Sequence, residues 1–226
     1  MPIDRSIVTK EDIARGYDAI AEKVFVSDDF YREVLGIEKN FSGDILEVGV
    51  GQGVVLKYIR ERGRNIRSLT GLDLSDRLIE MARKNVPSAH IVKGDAEDMP
   101  FSNASFDIVV MVDVFQYLID VDKALSEVHR VLRKGGSFIV TVPNRDWILF
   151  KRYIKNRKNI QPVEDRFFNF NEMAELLSSY GFSIASYRGA DAFRFYAPYH
   201  RYESWLSVVI PWMRKRMKKI TFKAVT

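Results

Sequence analysis

Glu47, Gly49, Gly51 and Gly53 stand at alternate positions in the stretch Ile45-Leu46-Glu47-Val48-Gly49-Val50-Gly51-Gln52-Gly53-Val54-Val55-Leu56. An apolar run precedes the glycines and a helix-patterned segment follows them, so the pattern predicts a buried strand, a tight turn and a helix start. Glycines in such a turn let a ligand approach the backbone closely, with the positive end of the helix behind them. Polar residues also close the later predicted strands: Asp73, Asp95 and Asp113, with Asn144 after a fifth. Asp73 lies 20 residues after Gly53, the separation at which doubly wound folds place an acid for ribose hydroxyls. A dinucleotide fingerprint has its third glycine one residue later, where this chain has Val54, so a structural turn or a different nucleotide ligand are the alternatives.

Positioning these residues requires alternating strands and helices. Thr9 with Asp12 three places on opens an amphipathic helix through Ile13, Tyr17, Ile20, Ala21 and Val24, and a second helix runs from about Asp28 to Leu35. After the glycine loop a helix reaches about Arg62 and stops at Gly63. Strands follow at Ser68–Asp73, His90–Gly94, Phe106–Val112 and Phe138–Val142, and Ser75 and Asp76 cap the helix that carries Leu78 and Ile79. A stripe of Leu118, Val121, Leu125, Val128 and Leu132 marks a helix ending in Arg133-Lys134-Gly135-Gly136, cations and then glycine. Asn171 is expected to cap a helix ending at Tyr180-Gly181, before two last strands at Phe182–Arg188 and Phe193–Tyr199. Such alternation builds a parallel sheet covered by helices on both faces, with ligands at the carboxyl ends of its strands.

Composition narrows the class. With 226 residues, 46% hydrophobic and 29% charged, the chain reads as one globular domain. It has no apolar run long enough for a spanning helix, and Met1 to Lys10 lacks a signal-peptide core, so a cytoplasmic location is expected. No cysteine is present, which removes disulfides, thiolate metal sites and cysteine nucleophiles, and no metal site is expected. The net charge of +5 is uneven: residues 201–226 hold seven Lys/Arg and one acid, and residues 144–170 hold seven Lys/Arg and three acids. The expectation is therefore a body with an N-terminal helical cap at 1–40, a basic insertion at 144–170 that forms a substrate lid, and a basic C-terminal appendage at 201–226.

Glu47-x-Gly49-x-Gly51-x-Gly53, Asp73 after the second strand, Gly94-Asp95-Ala96 after the third, Phe106-Asp107-x-Val109 and Leu132-Arg133-x-Gly135-Gly136 together resemble the motifs of class I S-adenosylmethionine (SAM) methyltransferases. The resemblance spans about residues 40–190 and points to the large group that includes quinone-biosynthesis and other small-molecule methyltransferases. It implies a Rossmann-like, doubly wound, mostly parallel seven-stranded sheet with helices on both faces and an antiparallel last strand. It also implies SAM as methyl donor and S-adenosylhomocysteine as product. In that frame Glu47 and the glycine loop hold the amino-acid tail, the loop amides packing against its carboxylate. Asp73 accepts from the ribose diol, Asp95 and the amide of Ala96 meet the adenine, and Leu74 and Met99 cover its faces. Tyr17-Asp18-x-x-Ala21 resembles a segment of the family's N-terminal helices that close over the cofactor.

Methyl transfer needs alignment above all, and a base only where the acceptor arrives protonated. Asp113 and His200 are the candidate bases; His90 and His129 sit in a strand and a helical stripe and read as structural. Tyr17, Tyr117 and Asn144 are the candidate substrate contacts. Asp113-Val114-Phe115-Gln116 stands where an Asn-Pro-Pro-Tyr-like motif would be, which argues against methylation of exocyclic amines on adenine or cytosine. Aromatic and cationic residues adjoin in Trp147 to Lys158 and in Trp205 to Lys219. This suits docking to an anionic membrane or lipid, or to RNA, or a lid and a packing helix. The expectation is a methyltransferase acting on a small, lipophilic, quinone- or lipid-like acceptor. An RNA (tRNA) methyltransferase and a SAM-binding module without transferase activity are the alternatives.

Overall fold

The structure, a computed structural model, describes residues 8–23, 28–147, 150, 151, 155, 166–190 and 218–226. Its frame is one sheet of β1 (Gly43–Val48), β2 (Ile66–Asp73), β3 (His90–Lys93), β4 (Phe106–Met111), β5 (Leu132–Pro143), β6 (Ser183–Ala190) and β7 (Lys219–Val225). The spatial order is β3-β2-β1-β4-β5-β7-β6. β1 to β5 pair parallel, and β7 runs antiparallel to both β5 and β6.

Alternation along the strands decides which helix covers which face. Leu46, Val48, Val109, Met111, Phe138 and Val140 pack with α5 (Val121–Val131) and α6 (Phe170–Ser179). Ile45, Ile108, Val110 and Ile139 pack with α2 (Asp28–Leu35), α3 (Val54–Arg62) and α4 (Asp76–Asn85). α1 (Lys10–Ile20) begins as its sequence requires: Thr9 and Asp12 form a reciprocal capping box. Ser75 caps α4 by accepting from the amide of Leu78, 3.1 Å away.

Three expectations change. The long helix ends at Val131, and Leu132 already belongs to β5. Asn169, not Asn171, caps α6, because only Asn169 stands three residues before Glu172 and completes a capping box with it. The largest change is at the C-terminus. The expected strand Phe193–Tyr199 lies outside the described residues, and the antiparallel strand is instead Lys219–Val225, placed between β5 and β6. The last residues of the supposed appendage are therefore part of the sheet. Ile220, Phe222 and Ala224 are fully buried and alternate as a strand should, a signal masked by the lysines around it.

The tail's cations are also partly committed to the body. Lys219 pairs with Asp113 and Lys223 with Glu38, at 2.7 Å for the latter. The basic insertion leaves and returns at one place: Phe168 donates to Pro143 O at 3.1 Å and Arg145 to Phe168 O at 2.9 Å. Most of the segment between, expected to form a lid, lies outside the described residues, as does all of 201–217.

Because Phe222 fills the core between β5 and α6, Phe222→Ala should cost about 3–5 kcal/mol of stability, the range for emptying a buried aromatic site. Urea denaturation measures it, and a loss below about 1 kcal/mol would show β7 to be peripheral.

Candidate functional site

Strand β1 ends in Glu47-Val48 and the chain turns through Gly49 to Gly53 into α3. Glu47 is buried, and its Oε2 accepts the amide of Leu56 in the first turn of α3 at 3.0 Å. One carboxyl thus ties the strand end to the helix start. The loop glycines differ in use. A side chain on Gly51 would meet no protein atom within 4 Å, so Gly51 keeps space open. A side chain on Gly53 would press on Val86 at 3.1 Å and Ala82 at 3.3 Å, so Gly53 lets α3 pack on α4. The expected role for the loop amides needs correction. Gly49 and Val50 donate to Leu72 O at 2.7 and 2.9 Å, Gly51 to Asp73 Oδ2 at 2.8 Å and Gly53 to Val50 O at 2.8 Å. The glycines supply room, while their donors hold the turn.

Above this loop a cleft of about 260 Å³ opens along the carboxyl ends of β1 to β4, covered by α1. Glu47, Gly49, Gly51, Asp73, Leu74, Asp95 and Ala96 line it, as do Tyr17, Asp113 and Tyr117. Asp73 accepts from Gly51 and, through Oδ1, from the amide of Ser75 at 3.0 Å. Burial nevertheless pushes its carboxyl above the ordinary value, against three backbone donors and with help from the charge of Asp18. Glu47 is pushed well above its ordinary value, first by burial and then by the charge of Asp73, with the Leu56 amide opposing. Two carboxyls reluctant to ionise thus share the floor of one cleft, which suits a ligand bringing positive charge and hydroxyl donors.

Contacts distant in sequence hold α1 over the cleft, and local reading missed them. Lys10 pairs with Glu97 and, at 3.2 Å, with Asp95. Asp18 accepts from Ser75 Oγ and from the amide of Arg77, and Gln52 Nε2 donates to Ala21 O at 2.7 Å. The rings of Tyr17 and Tyr117 meet edge to face at 5.9 Å. Tyr31 from α2 joins the lining. No spacing signal links Lys10 to Asp95; only α1's path across the strand ends does. At the same end Asp113 follows β4 with a left-handed backbone, φ +60°, an arrangement that costs a non-glycine residue on the order of 1–3 kcal/mol. Its Oδ2 faces the ammonium of Lys219.

Three expected site residues are not brought to the cleft lining. Gly53 lies below it, as described. Met99 is buried in the core beside Phe106 and α5, with its amide donating to Glu127 Oε2 at 2.6 Å. Asn144 is buried at the end of β5, where its Oδ1 accepts from the amide of Asp146 at 3.0 Å and holds a turn. His200 lies outside the described residues.

Comparison with known proteins agrees with this geometry. Residues 46–140 match the family model described as a methyltransferase domain. The chain is 35% identical over 141 residues to a probable S-adenosylmethionine-dependent methyltransferase of Mycolicibacterium smegmatis, covering 62% of this chain and 52% of that one. It is 41% identical over 100 residues to the phthiotriol/phenolphthiotriol dimycocerosates methyltransferase of Mycobacterium leprae, covering 43% of this chain and 37% of that one. The chain thus spans about half the length or less of these relatives. A crystal structure of a SAM-dependent methyltransferase from Thermotoga maritima superposes with a TM-score of 0.70 at 23% identity, covering 94% of this chain and 99% of that one. That likeness shows the fold.

The carboxyl of Glu47 sets a pH dependence. A folded-state value raised above the unfolded one means that the native state holds more protons than the unfolded state in the interval between them. The stabilisation is complete below the ordinary value, 4.5, and is lost as pH rises through the raised one. In Glu47→Gln, whose amide oxygen can still accept from Leu56, that loss disappears. The stability of the variant relative to wild type should therefore rise with pH above the ordinary carboxylate range, measured by urea midpoints across pH. A difference that does not move with pH would remove the burial account of Glu47.

Proposed function

We propose that this chain, a member of the class I SAM-dependent methyltransferase family, binds SAM in the cleft and transfers its methyl group to a small, lipophilic acceptor. The observation that carries this reading is the shared lining. Gly51, with its open space, the raised carboxyls of Glu47 and Asp73, and Asp95-Ala96 all border one cavity at the carboxyl ends of neighbouring strands. These residues fit the donor. Glu47 favours its charged form once a cationic amino group lies beside it, Asp73 accepts hydroxyl donors, and Asp95 has Oδ2 beyond the Oδ1 engaged by Lys10 and the amide of Glu97. Gly51 leaves room where any side chain would intrude. SAM bound there supplies an electrophilic methyl group on a sulfonium centre.

The chain's own work is to bind, orient and exclude water. α1 covers the cleft through Lys10, Asp18 and the Gln52 contact, and a closed, dry site strengthens every charge interaction inside it. The acceptor end is walled by Ile13, Ala14, Tyr17, Tyr31, Val112, Val114 and Tyr117, a mostly apolar and aromatic surface suited to a lipophilic acceptor. The relative from M. leprae, named for phthiotriol and phenolphthiotriol dimycocerosates, supports that class. Among the described residues no helix is long and apolar enough to cross a membrane.

Asp73→Ala should weaken SAM binding by about 1.5–3 kcal/mol, the range for hydrogen bonds to a charged group. Gly51→Val should damage both binding and folding: its left-handed backbone, φ +51°, strains a β-branched residue by on the order of 1–3 kcal/mol, and the added atoms extend from a position with no protein neighbours into the ligand's space. Calorimetry on variants shown to be folded by circular dichroism tests both, and full SAM affinity in either would discard the site assignment. Labelled SAM offered with lipid, metabolite and RNA extracts tests the acceptor. Label recovered in RNA and absent from the organic phase would overturn the lipophilic class.

A further inference from the structure

Among the described residues, Asp113 unites features that are each costly alone. Its backbone is left-handed at φ +60° although it is not glycine. Its Oδ1 is buried with no hydrogen-bond partner, while Oδ2 pairs with Lys219. Asn65 and Ala104 also have positive φ, but neither lines the cleft and Asp113 does. Backbone strain and an unsatisfied buried acceptor persist together only where the surroundings enforce them, and such positions cluster at functional sites. The enforcing contact is identifiable. Lys219 is the first residue of β7, fixed in register with Pro143 of β5 and Ala190 of β6. Its ammonium lies 5.0 Å from the centre of the Phe30 ring, and its side chain is 14% exposed. An antiparallel strand starts where its parallel neighbours end, so this lysine arrives beside Asp113 from the far end of the chain.

We propose that Lys219 is a positioning residue for the reaction: its ammonium holds the Asp113 side chain at the cleft wall, where the carboxylate takes the proton of a hydroxyl or N–H methyl acceptor. The inference rests on the methyltransferase reading above. As the O–H or N–H bond breaks, its electron pair stays on oxygen or nitrogen and forms the new bond to the methyl carbon. The proton goes to Asp113, and the pair of the broken carbon–sulfur bond goes to sulfur. Asp113 is left as a neutral carboxyl beside the Lys219 ammonium and returns its proton to water in the next opening of the cleft. Charge separation is small throughout, because the carboxylate that is neutralised and the sulfonium charge that disappears lie within one cleft.

Melting temperatures of a mutant cycle test the assignment without knowledge of the acceptor. Lys219→Met should melt below wild type, since it leaves a carboxylate without its cation, and Lys219→Arg should restore the wild-type value. Combining Lys219→Met with Asp113→Gly removes the strain, the orphaned oxygen and the lone charge together. The double variant should then melt about 2–4 °C above wild type, as expected where strain is held for function. A double variant that melts below wild type would identify the pair as a structural brace between β7 and the end of β4, and overturn the proposal. Absence of SAM binding in wild type itself would instead overturn the methyltransferase reading. In the labelled-SAM assay the product should carry its methyl group on oxygen or nitrogen, and a carbon-methylated product would overturn the acceptor half of the proposal.

Discussion

Parallel strands impose a polarity on this molecule. Each of β1 to β4 brings its last residues to one edge of the sheet, so Glu47, Asp73, Asp95 and Asp113 meet there although 66 residues separate the first from the last. The helices that return the chain must start at that same edge, and their unsatisfied first-turn amides start there with them. The carboxyls answer both demands. Glu47 accepts from Leu56 at the start of α3, and Asp73 accepts from Gly51 and Ser75 on the way into α3 and α4. Strand end, turn and helix start form one hydrogen-bonded unit before any ligand is considered.

That unit has an electrostatic consequence. Carboxyls engaged by backbone amides are usually easy to ionise, yet burial outweighs the amides for both Glu47 and Asp73, and the charge of Asp73 adds to it at Glu47 and that of Asp18 at Asp73. A cationic ligand with hydroxyl donors relieves what burial imposes. The cover over the cleft depends on similar long-range pairs: Lys10 with Asp95 and Glu97, and Asp18 with the start of α4. Asp95 therefore both borders the cleft and helps to hold down the helix that closes it.

The end of β4 shows the opposite balance. Asp113 is strained and incompletely paired, and the residue that holds it belongs to the last strand, 106 residues away. Strand β7 thus does more than complete the sheet. Its buried alternation of Ile220, Phe222 and Ala224 fixes the register, and the register sets Lys219 beside Asp113. Core packing and site geometry are two readings of one strand.

What the sequence by itself determined is local. Alternating apolar residues, glycine spacing and capping pairs act within a few residues, so the first five strands, the glycine turn, the Thr9 and Ser75 caps and the four strand-end acids were legible from them. The same locality misled where two patterns overlapped. The period-two signal of β7 was hidden inside a run of cations that read as an appendage, and Asn171 was preferred over Asn169 although Glu172 pairs with the latter. Only the tertiary structure decided that Met99 and Asn144 are core and turn residues, that Gly51 faces open space while Gly53 faces α4, that Lys10 reaches the cleft and that Lys219 reaches Asp113. Those outcomes depend on which segments the sheet order makes neighbours, and a contact between residues a hundred positions apart leaves no mark on the spacing of either.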